Sequence, residues 1–137
     1  MFYSIKELRF LEENKNKNFL IFAYGRLKYG YVANCMFLDN SETQFLGEKS
    51  TKNLYTLYDL KEYPILSDLG DGEGSVRGEL YSVNAETILK LDKYLPMYEK
   101  KELELDDGTL AYTYLMTIRL NGKKIKLDID NLLTWKG

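Results

Sequence analysis

The segment FLIFAYGRLKYG (residues 19–30) joins a run of apolar residues to a glycine turn that carries an arginine. Consecutive backbone N–H groups in such a turn can converge on one carboxylate or phosphate. Gly25 allows the backbone to come close to a ligand, and Arg26 adds a positive charge. The alternative is that the turn only connects two elements and that Arg26 is a surface charge. The turn Tyr24–Leu27 is therefore a candidate anion-binding site.

The counts of histidine and cysteine restrict the chemistry that the chain can perform. It has no histidine and one cysteine, Cys35. This excludes nucleophiles activated by histidine, histidine metal sites, thiolate zinc clusters and an internal disulfide. A single cysteine fits a reducing compartment, so we expect a cytoplasmic protein. Proton transfer would depend on a carboxylate, a lysine or a tyrosine, and we predict no metal and no cofactor.

Length, charge and composition limit the possible partners. A chain of 137 residues is typical of one domain with a single core. The net charge of −2 and the absence of a basic cluster argue against binding to nucleic acid. The longest apolar run (residues 19–24) is too short to cross a membrane. Tyrosine is abundant, with 12 residues, and it can line a core edge or a pocket. The richness in lysine, asparagine and tyrosine fits an AT-rich genome, such as that of a bacteriophage or a low-GC bacterium.

Hydrophobic patterning predicts a strand-rich α+β domain. Ile5, Leu8 and Leu11 have helical spacing, so residues 1–18 are predicted to be an N-terminal helical extension that precedes a domain at residues 19–137. The run FLIFAY is continuously apolar, which is typical of a strand covered on both faces. The segment YVANCMFLDN is compatible with a helix or with a second strand.

Turn and cap signals predict the remaining elements. Strands are expected at TQFLGEKS, KNLYTLYDL and VRGELYSV, and a loop at EYPILSDLGDGEGS because of its proline and glycines. A helix begins after Asn84 and ends before Pro96. Hairpins are predicted at Asp106–Gly108 and at Asn121–Gly122. Together these elements predict a small closed or strongly curved mixed β-barrel with one main helix, since such a sheet protects its edges.

Four segments, in order, resemble the γ-glutamylcyclotransferase-like family, which includes γ-glutamylamine cyclotransferases and AIG2-like proteins. They are FAYGRL, FLGEKSTKNLYTLYDLKEYPIL, VRGELYSVNAETILKLD and NLLTWKG, and the resemblance covers roughly residues 19–137. It implies a compact barrel-like fold whose Tyr-Gly-x-Leu turn holds the α-carboxylate end of a γ-glutamyl group. In that family one glutamate relays a proton while the substrate's amino group attacks its own γ-carbonyl, releasing 5-oxoproline and an amine.

The chain departs from the family pattern at two positions. The resemblance places the catalytic glutamate three residues after Leu91-Asp92, and this position holds Leu95. A leucine side chain cannot transfer a proton. Arg26 also occupies a position where the family usually has a small hydroxyl residue. Arg26 would narrow the pocket or provide a cation for an anionic ligand.

Three hypotheses follow from this comparison of residues. In the favoured one, the chain binds a small anionic metabolite or a nucleotide-like ligand and has lost cyclotransferase activity, because aromatic rings can stack on a base while amides and an arginine bind phosphate. The residues expected to line that pocket are Tyr24, Gly25, Arg26, Leu27, Tyr58, Tyr63 and Tyr98. In the second, the chain is an active γ-glutamyl(amine) cyclotransferase that uses a displaced carboxylate, Glu99 or Asp92. In the third, the chain is an interaction module in which residues 1–18 dock a partner or a second copy of the chain. Docking of a second copy would give a homo-oligomer.

Overall fold

The computed structural model describes residues 3–69, 72–118, 120 and 122–137. Three helices and nine strands are present in this part of the chain. The helices are α1 (Ile5–Glu13), α2 (Val32–Phe37) and α3 (Ala85–Tyr94). The strands are β1 (Asn18–Ala23), β2 (Gln44–Ser50), β3 (Thr56–Asp59), β4 (Pro64–Ser67), β5 (Ser75–Asn84), β6 (Glu99–Glu104), β7 (Leu110–Leu115), β8 (Lys123–Lys124) and β9 (Leu132–Leu133). None of these helices is long and apolar enough to cross a membrane.

The strands form one large mixed sheet and one small sheet. The large sheet has the order β2-β5-β1-β7-β6, with β9 added alongside β5, and the small sheet has the order β4-β3-β8. Strand β1 is antiparallel to β5 and parallel to β7. Past the ends of the two edge strands, Thr51 and Leu105 form an isolated antiparallel bridge. The sheet is therefore strongly curved, and the predicted α+β class is confirmed.

Strand β1 is covered on both faces, as its continuous apolar sequence predicts. Phe22 belongs to a core cluster that includes Leu57 and Leu66 of the small sheet. Ile21 points the other way, into a second cluster that includes Ile88 and Leu91 of α3. Successive side chains of a strand alternate between its faces, so β1 separates the two halves of the core. The C-terminal end of β1 is consequently a rigid position for the turn that follows.

Helix α3 begins at the predicted cap. The side chain of Asn84 accepts a hydrogen bond from the backbone N–H of Thr87 at 3.0 Å, which satisfies a donor of the first helical turn. Leu95 is the C-cap residue, and its N–H donates to the carbonyl of Leu91. Pro96 follows, where a helix cannot continue. The predicted hairpin at Asp106–Gly108 is also confirmed, because it joins β6 to β7.

Helix α1 is present, but the predicted apolar face is wrong in part. Ile5 and Leu8 are exposed, at 79% and 53%. The inward contacts are made by Phe10, whose ring stacks on Phe19 with centroids 6.0 Å apart, and by Glu7, which pairs with Lys93 of α3 at 3.0 Å. The helical spacing predicted the element, whereas its inward face is set by contacts with Phe19 of β1 and Lys93 of α3.

The segment predicted as one long loop contains a buried strand, and this part of the prediction is wrong. All four residues of β4 (Pro64–Ser67) are buried, and Leu66 is in register with Leu57 of β3. A proline is tolerated at the first residue of a strand, so Pro64 does not prevent pairing. The ambiguous segment after the glycine turn is helical, as α2. Of the second predicted hairpin, Asn121 lies outside the described residues, and the strand that follows, β8, pairs with β3.

Candidate functional site

A cavity of about 370 Å³ opens where β1 ends and the glycine turn begins. Its other walls are the start of β4, the end of α3 with the loop after it, and β7. The structure brings six of the seven predicted ligand-binding residues to this cavity, namely Tyr24, Gly25, Arg26, Leu27, Tyr63 and Tyr98. The cavity is a concave, mainly apolar site with a few polar groups, which is typical of small-molecule sites.

The turn presents backbone donors that have no partner in the described chain. The carbonyl of Gly25 accepts a hydrogen bond from the N–H of Lys28 at 3.0 Å, which closes the turn. Within the described residues, the N–H groups of Gly25, Arg26 and Leu27 donate no hydrogen bond. Gly25 and Leu27 are buried, and a buried backbone donor requires a partner, from solvent or from a ligand. Three neighbouring amides are therefore available to an acceptor at this turn.

Gly25 is required by the protein's own packing. A β-carbon at Gly25 would lie 2.6 Å from Cγ and 2.9 Å from Cδ of Pro64. The φ angle of Gly25 is not in the positive, left-handed region, so the backbone conformation of the turn does not require glycine. The close approach that glycine allows is thus an approach of the turn to β4. This contact fixes the distance between two walls of the cavity.

Two tyrosine hydroxyls in the walls already donate to backbone carbonyls. The hydroxyl of Tyr24 donates to the carbonyl of Tyr114 at 2.5 Å, and that of Tyr98 donates to the carbonyl of Pro64 at 3.2 Å. Burial raises the pKa of Tyr98 to about 12 and also raises the pKa of Tyr24. Both side chains remain neutral near pH 7. Each hydroxyl proton is thus used within the protein, and the Tyr24 oxygen also accepts from the N–H of Leu66 at 3.4 Å. Toward a ligand, Tyr24 therefore offers an aromatic surface, and Tyr98 offers an aromatic surface and an accepting oxygen.

A third tyrosine connects the cavity to a carboxylate. Tyr114 lines the cavity, and its hydroxyl donates to Oδ1 of Asp92 at 2.8 Å. The other oxygen of Asp92 accepts from Nζ of Lys100 at 3.0 Å. Burial, and then the hydrogen bond to Asp92, raises the pKa of Tyr114. Asp92 itself does not line the cavity, so Tyr114 lies between it and the enclosed volume.

The position of the expected glutamate lies in the cavity wall, and a leucine occupies it. Leu95 is among the lining residues, and the described lining contains no carboxylate. Glu99, the predicted substitute, lies outside this lining. Its carboxylate accepts from the hydroxyl of Thr117 at 3.0 Å and lies 3.8 Å from Nζ of Lys101. Glu99 is therefore engaged on the outer surface of β6.

Arg26 is the only basic residue among the described residues that line the cavity. Its side chain is exposed and forms no ion pair with any residue that the structure describes. Its charge acts on the Tyr98 hydroxyl, where it lowers the pKa against the larger effect of burial. The cavity thus combines an unpaired positive charge with a wall of neutral tyrosines.

Tyr58, the seventh predicted residue, does not line the cavity. It is 2% exposed and lies in β3. The Asp59 that follows it accepts a hydrogen bond from Nε1 of Trp135 at 3.3 Å, and Nζ of Lys28 donates to the carbonyl of Trp135 at 2.6 Å. The Leu-Tyr-Asp and Trp segments therefore contact each other and the end of the turn, away from the cavity.

Two lining residues of β7, Thr113 and Tyr114, were missed by reasoning from the sequence. The hydroxyl of Thr113 donates to the carbonyl of Phe22 at 2.8 Å. No local sequence pattern places these two residues at the turn. Their position depends on the pairing of β7 with β1, from which about 90 residues separate it in the chain. No group of three or more potential metal-ligating side chains is found among the described residues.

Comparisons with known proteins identify the family of the chain. The family described as "Gamma-glutamyl cyclotransferase, AIG2-like" matches residues 21–135. A Vibrio cholerae protein provisionally named gamma-glutamylcyclotransferase is 40% identical over 106 residues, covering 74% of this chain and 87% of its own.

Solved structures show a similar fold. An AIG2-like protein from mouse superposes with a TM-score of 0.67 at 25% identity, over 76% of this chain and 80% of the other. An uncharacterized protein from Pyrococcus horikoshii superposes with a TM-score of 0.66 at 26% identity, over 79% and 86%. The chain therefore belongs to the gamma-glutamyl cyclotransferase, AIG2-like family.

Proposed function

We propose that the cavity at the glycine turn binds a small anionic ligand, with an apolar or aromatic body, and that the chain does not turn it over through the family's glutamate. One observation carries this proposal. Arg26 lines the cavity without an ion partner in the described chain, and the described lining contains no carboxylate. An anion placed there would meet one positive charge and no like charge.

The donors and the walls divide the recognition between them. The amides of Gly25, Arg26 and Leu27 and the Arg26 guanidinium supply donors for a carboxylate or a phosphate. The hydroxyl of Tyr98 donates to the carbonyl of Pro64, which holds the side chain in place. Its ring can therefore serve as a surface on which a base or another flat group stacks. Tyr63 lies at the same cavity and is 39% exposed. The anionic group therefore belongs at the turn, and the apolar body belongs against the tyrosines.

Replacing Arg26 tests the role of its charge. Titration calorimetry would compare adenosine monophosphate with neutral adenosine, in the wild type and in Arg26→Ala. An exposed charge-assisted contact contributes about 1 kcal/mol, so we expect roughly fivefold weaker binding of the monophosphate and unchanged binding of adenosine. Arg9→Ala is the matched control, because it removes one exposed positive charge on α1.

Other outcomes would revise the proposal in defined ways. Equal losses for the two probes would show that Arg26 acts through shape. The ligand itself can be sought by native mass spectrometry of protein from its own host, followed by heat release. Protein that is free of any metabolite and binds neither a nucleotide nor a γ-glutamyl amine would contradict the assignment of the cavity.

An active cyclotransferase is the second candidate, and the Tyr114–Asp92 contact favours it. In that case the substrate's ammonium group would give a proton to the Tyr114 oxygen while Tyr114 passes its own proton to Asp92. The freed amine would attack the γ-carbonyl. As the C–N bond to the leaving group breaks, the departing amine would take up the proton stored on Asp92, returned through Tyr114, and the second proton of the attacking nitrogen, and it would leave as an ammonium ion beside a neutral lactam nitrogen. Release of 5-oxoproline that is lost in Tyr114→Phe and kept in Glu99→Gln would support this candidate.

A further inference from the structure

A second, larger cavity of about 830 Å³ lies beyond the glycine turn, beside α2. Its lining includes four aromatic residues and two acidic ones, Glu79 and Asp39, and no lysine or arginine among the described residues. The aromatic residues are Tyr29, Tyr31, Phe45 and Tyr81. This lining is opposite in charge to that of the first cavity, where the charged residue is Arg26.

A hydrogen-bonded chain holds the Glu79 carboxylate in place. Its Oε1 atom accepts from the N–H of Tyr29 at 2.7 Å and from the hydroxyl of Tyr81 at 2.9 Å. The Tyr81 oxygen in turn accepts from Nδ2 of the buried Asn34 at 3.0 Å. The second oxygen, Oε2, has no donor among the described residues. The Glu79 carboxylate is therefore held in one orientation, and only one of its two oxygens accepts hydrogen bonds from the described residues.

The Glu79 charge has no ion partner in the described chain. Glu79 lies directly opposite Glu48 on the neighbouring strand, and two like charges in that position are unfavourable. Glu48 is neutralised by Arg77, at 2.5 Å. No basic atom of the described residues lies within 4 Å of the Glu79 carboxylate. The ammonium of Lys28 donates to the carbonyl of Trp135, although burial lowers the pKa of Lys28 and the nearby Glu79 charge raises it in part.

Exposed aromatic residues line the same cavity as this carboxylate. Tyr29 is 83% exposed and Phe45 is 56% exposed, and the Phe45 ring lies 5.4 Å from that of Tyr81. The faces of aromatic rings attract cations, and aromatic walls combined with a carboxylate are a recurrent arrangement for ammonium groups. We propose that this second cavity binds an alkylammonium group, with Glu79 as its counter-charge and Tyr29, Phe45 and Tyr81 as its aromatic wall.

Titration calorimetry on the full chain tests the proposal. The cationic probes are putrescine, a free diamine, and the peptide acetyl-Gly-Lys-Gly-amide, which carries the same group on a protein side chain. The neutral match to putrescine is 1,4-butanediol. We expect at least one cationic probe to bind and butanediol not to bind. Tighter binding of putrescine would indicate a free amine as the ligand, and tighter binding of the peptide would indicate a lysine of a partner.

Two variants and a control identify the residues involved. Glu79→Gln keeps the oxygen that accepts from Tyr29 and Tyr81 but removes the charge, so we expect roughly tenfold weaker binding, or about 1.4 kcal/mol. Phe45→Leu removes an exposed ring and should weaken binding about two- to fivefold. Glu102→Gln is the control, because it removes an exposed carboxylate of β6 that does not line this cavity, and binding should stay within about twofold.

Three results would overturn the proposal. They are an unchanged affinity in Glu79→Gln, equal binding of butanediol and putrescine, or the absence of binding by both cationic probes. The thermal unfolding of Glu79→Gln, compared with the wild type, verifies that the variant is folded. This test does not depend on the first cavity, so its result leaves the proposed function unaffected.

Discussion

The contact between Gly25 and Pro64 allows a stability prediction to be worked out from distances. A β-carbon at Gly25 would lie 2.6 Å from Cγ of Pro64, and ordinary contacts begin at 3.4 Å. The proline ring, or the turn, must therefore move by about 0.8 Å, which is 3.4 minus 2.6. Overpacking of a buried site costs about 1–3 kcal/mol, and the loss of glycine's freedom in the unfolded chain offsets about 0.4–1 kcal/mol of it.

We therefore expect Gly25→Ala to lower the free energy of unfolding by about 1–2 kcal/mol, or roughly 3–8 °C in Tm for a domain of this size. Urea denaturation measures the change. Gly122→Ala is the matched control, since its β-carbon would lie 3.5 Å from Cδ1 of Tyr58, which is an ordinary contact distance. It should change the stability by less than about 1 kcal/mol.

A double-mutant cycle separates the clash from other effects of Gly25→Ala. In a Pro64→Ala background the ring atoms are absent, so the same substitution should cost little or become favourable. An equal loss of stability in both backgrounds would refute the reasoning, because it would locate the cost somewhere other than the contact between the turn and β4. A substitution at Gly25 therefore alters the contact between the turn and Pro64 in the cavity wall as well as the turn itself.

Three further predictions concern the cavity walls. Tyr114→Phe removes the hydrogen bond to Asp92 and should lower the free energy of unfolding by about 1–2 kcal/mol; urea denaturation with unchanged stability would show that the bond contributes nothing. The pKa of Tyr98 in the folded chain, about 12, exceeds its ordinary value of 10.0. Its contribution to the free energy of unfolding is therefore complete below pH 10 and is lost as the pH rises toward 12. This loss of stability should be smaller in Tyr98→Phe, and identical profiles of stability against pH in the two proteins would contradict the prediction. Leu95→Glu introduces a carboxylate into the wall and should yield 5-oxoproline from a γ-glutamyl amine where Leu95→Gln does not; equal inactivity would mean that the missing acid is not the sole defect.

Local signals in the sequence predict the elements that depend on neighbouring residues. The Asn84 cap, the proline stop and the Asp106–Gly108 hairpin are short-range features, and each is present in the structure. The continuous apolar run of β1 indicated a strand buried on both faces, because alternation is lost when both sides are covered. The family resemblance added the location of the cavity at the turn.

The errors arose where distant segments decide the outcome. Pro64 and the glycines after it read as a loop, yet pairing with β3 makes that segment a buried strand. Tyr58 faces the core because its strand belongs to the small sheet, which no local pattern could reveal. Tyr114 reaches the cavity through the pairing of β7 with β1. The contact that keeps Glu99 on the outer surface, with Thr117, likewise depends on sheet register.

The most direct test of the account is an assay for 5-oxoproline on the wild-type chain, under conditions where binding of the same γ-glutamyl amine has been verified by calorimetry. The account predicts binding without release above the buffer rate, because the described lining holds no carboxylate and Leu95 stands where the family resemblance predicts the proton-transferring acid. Repeated turnover that disappears in Tyr114→Phe would contradict it, and would assign the proton transfer to Tyr114 and Asp92.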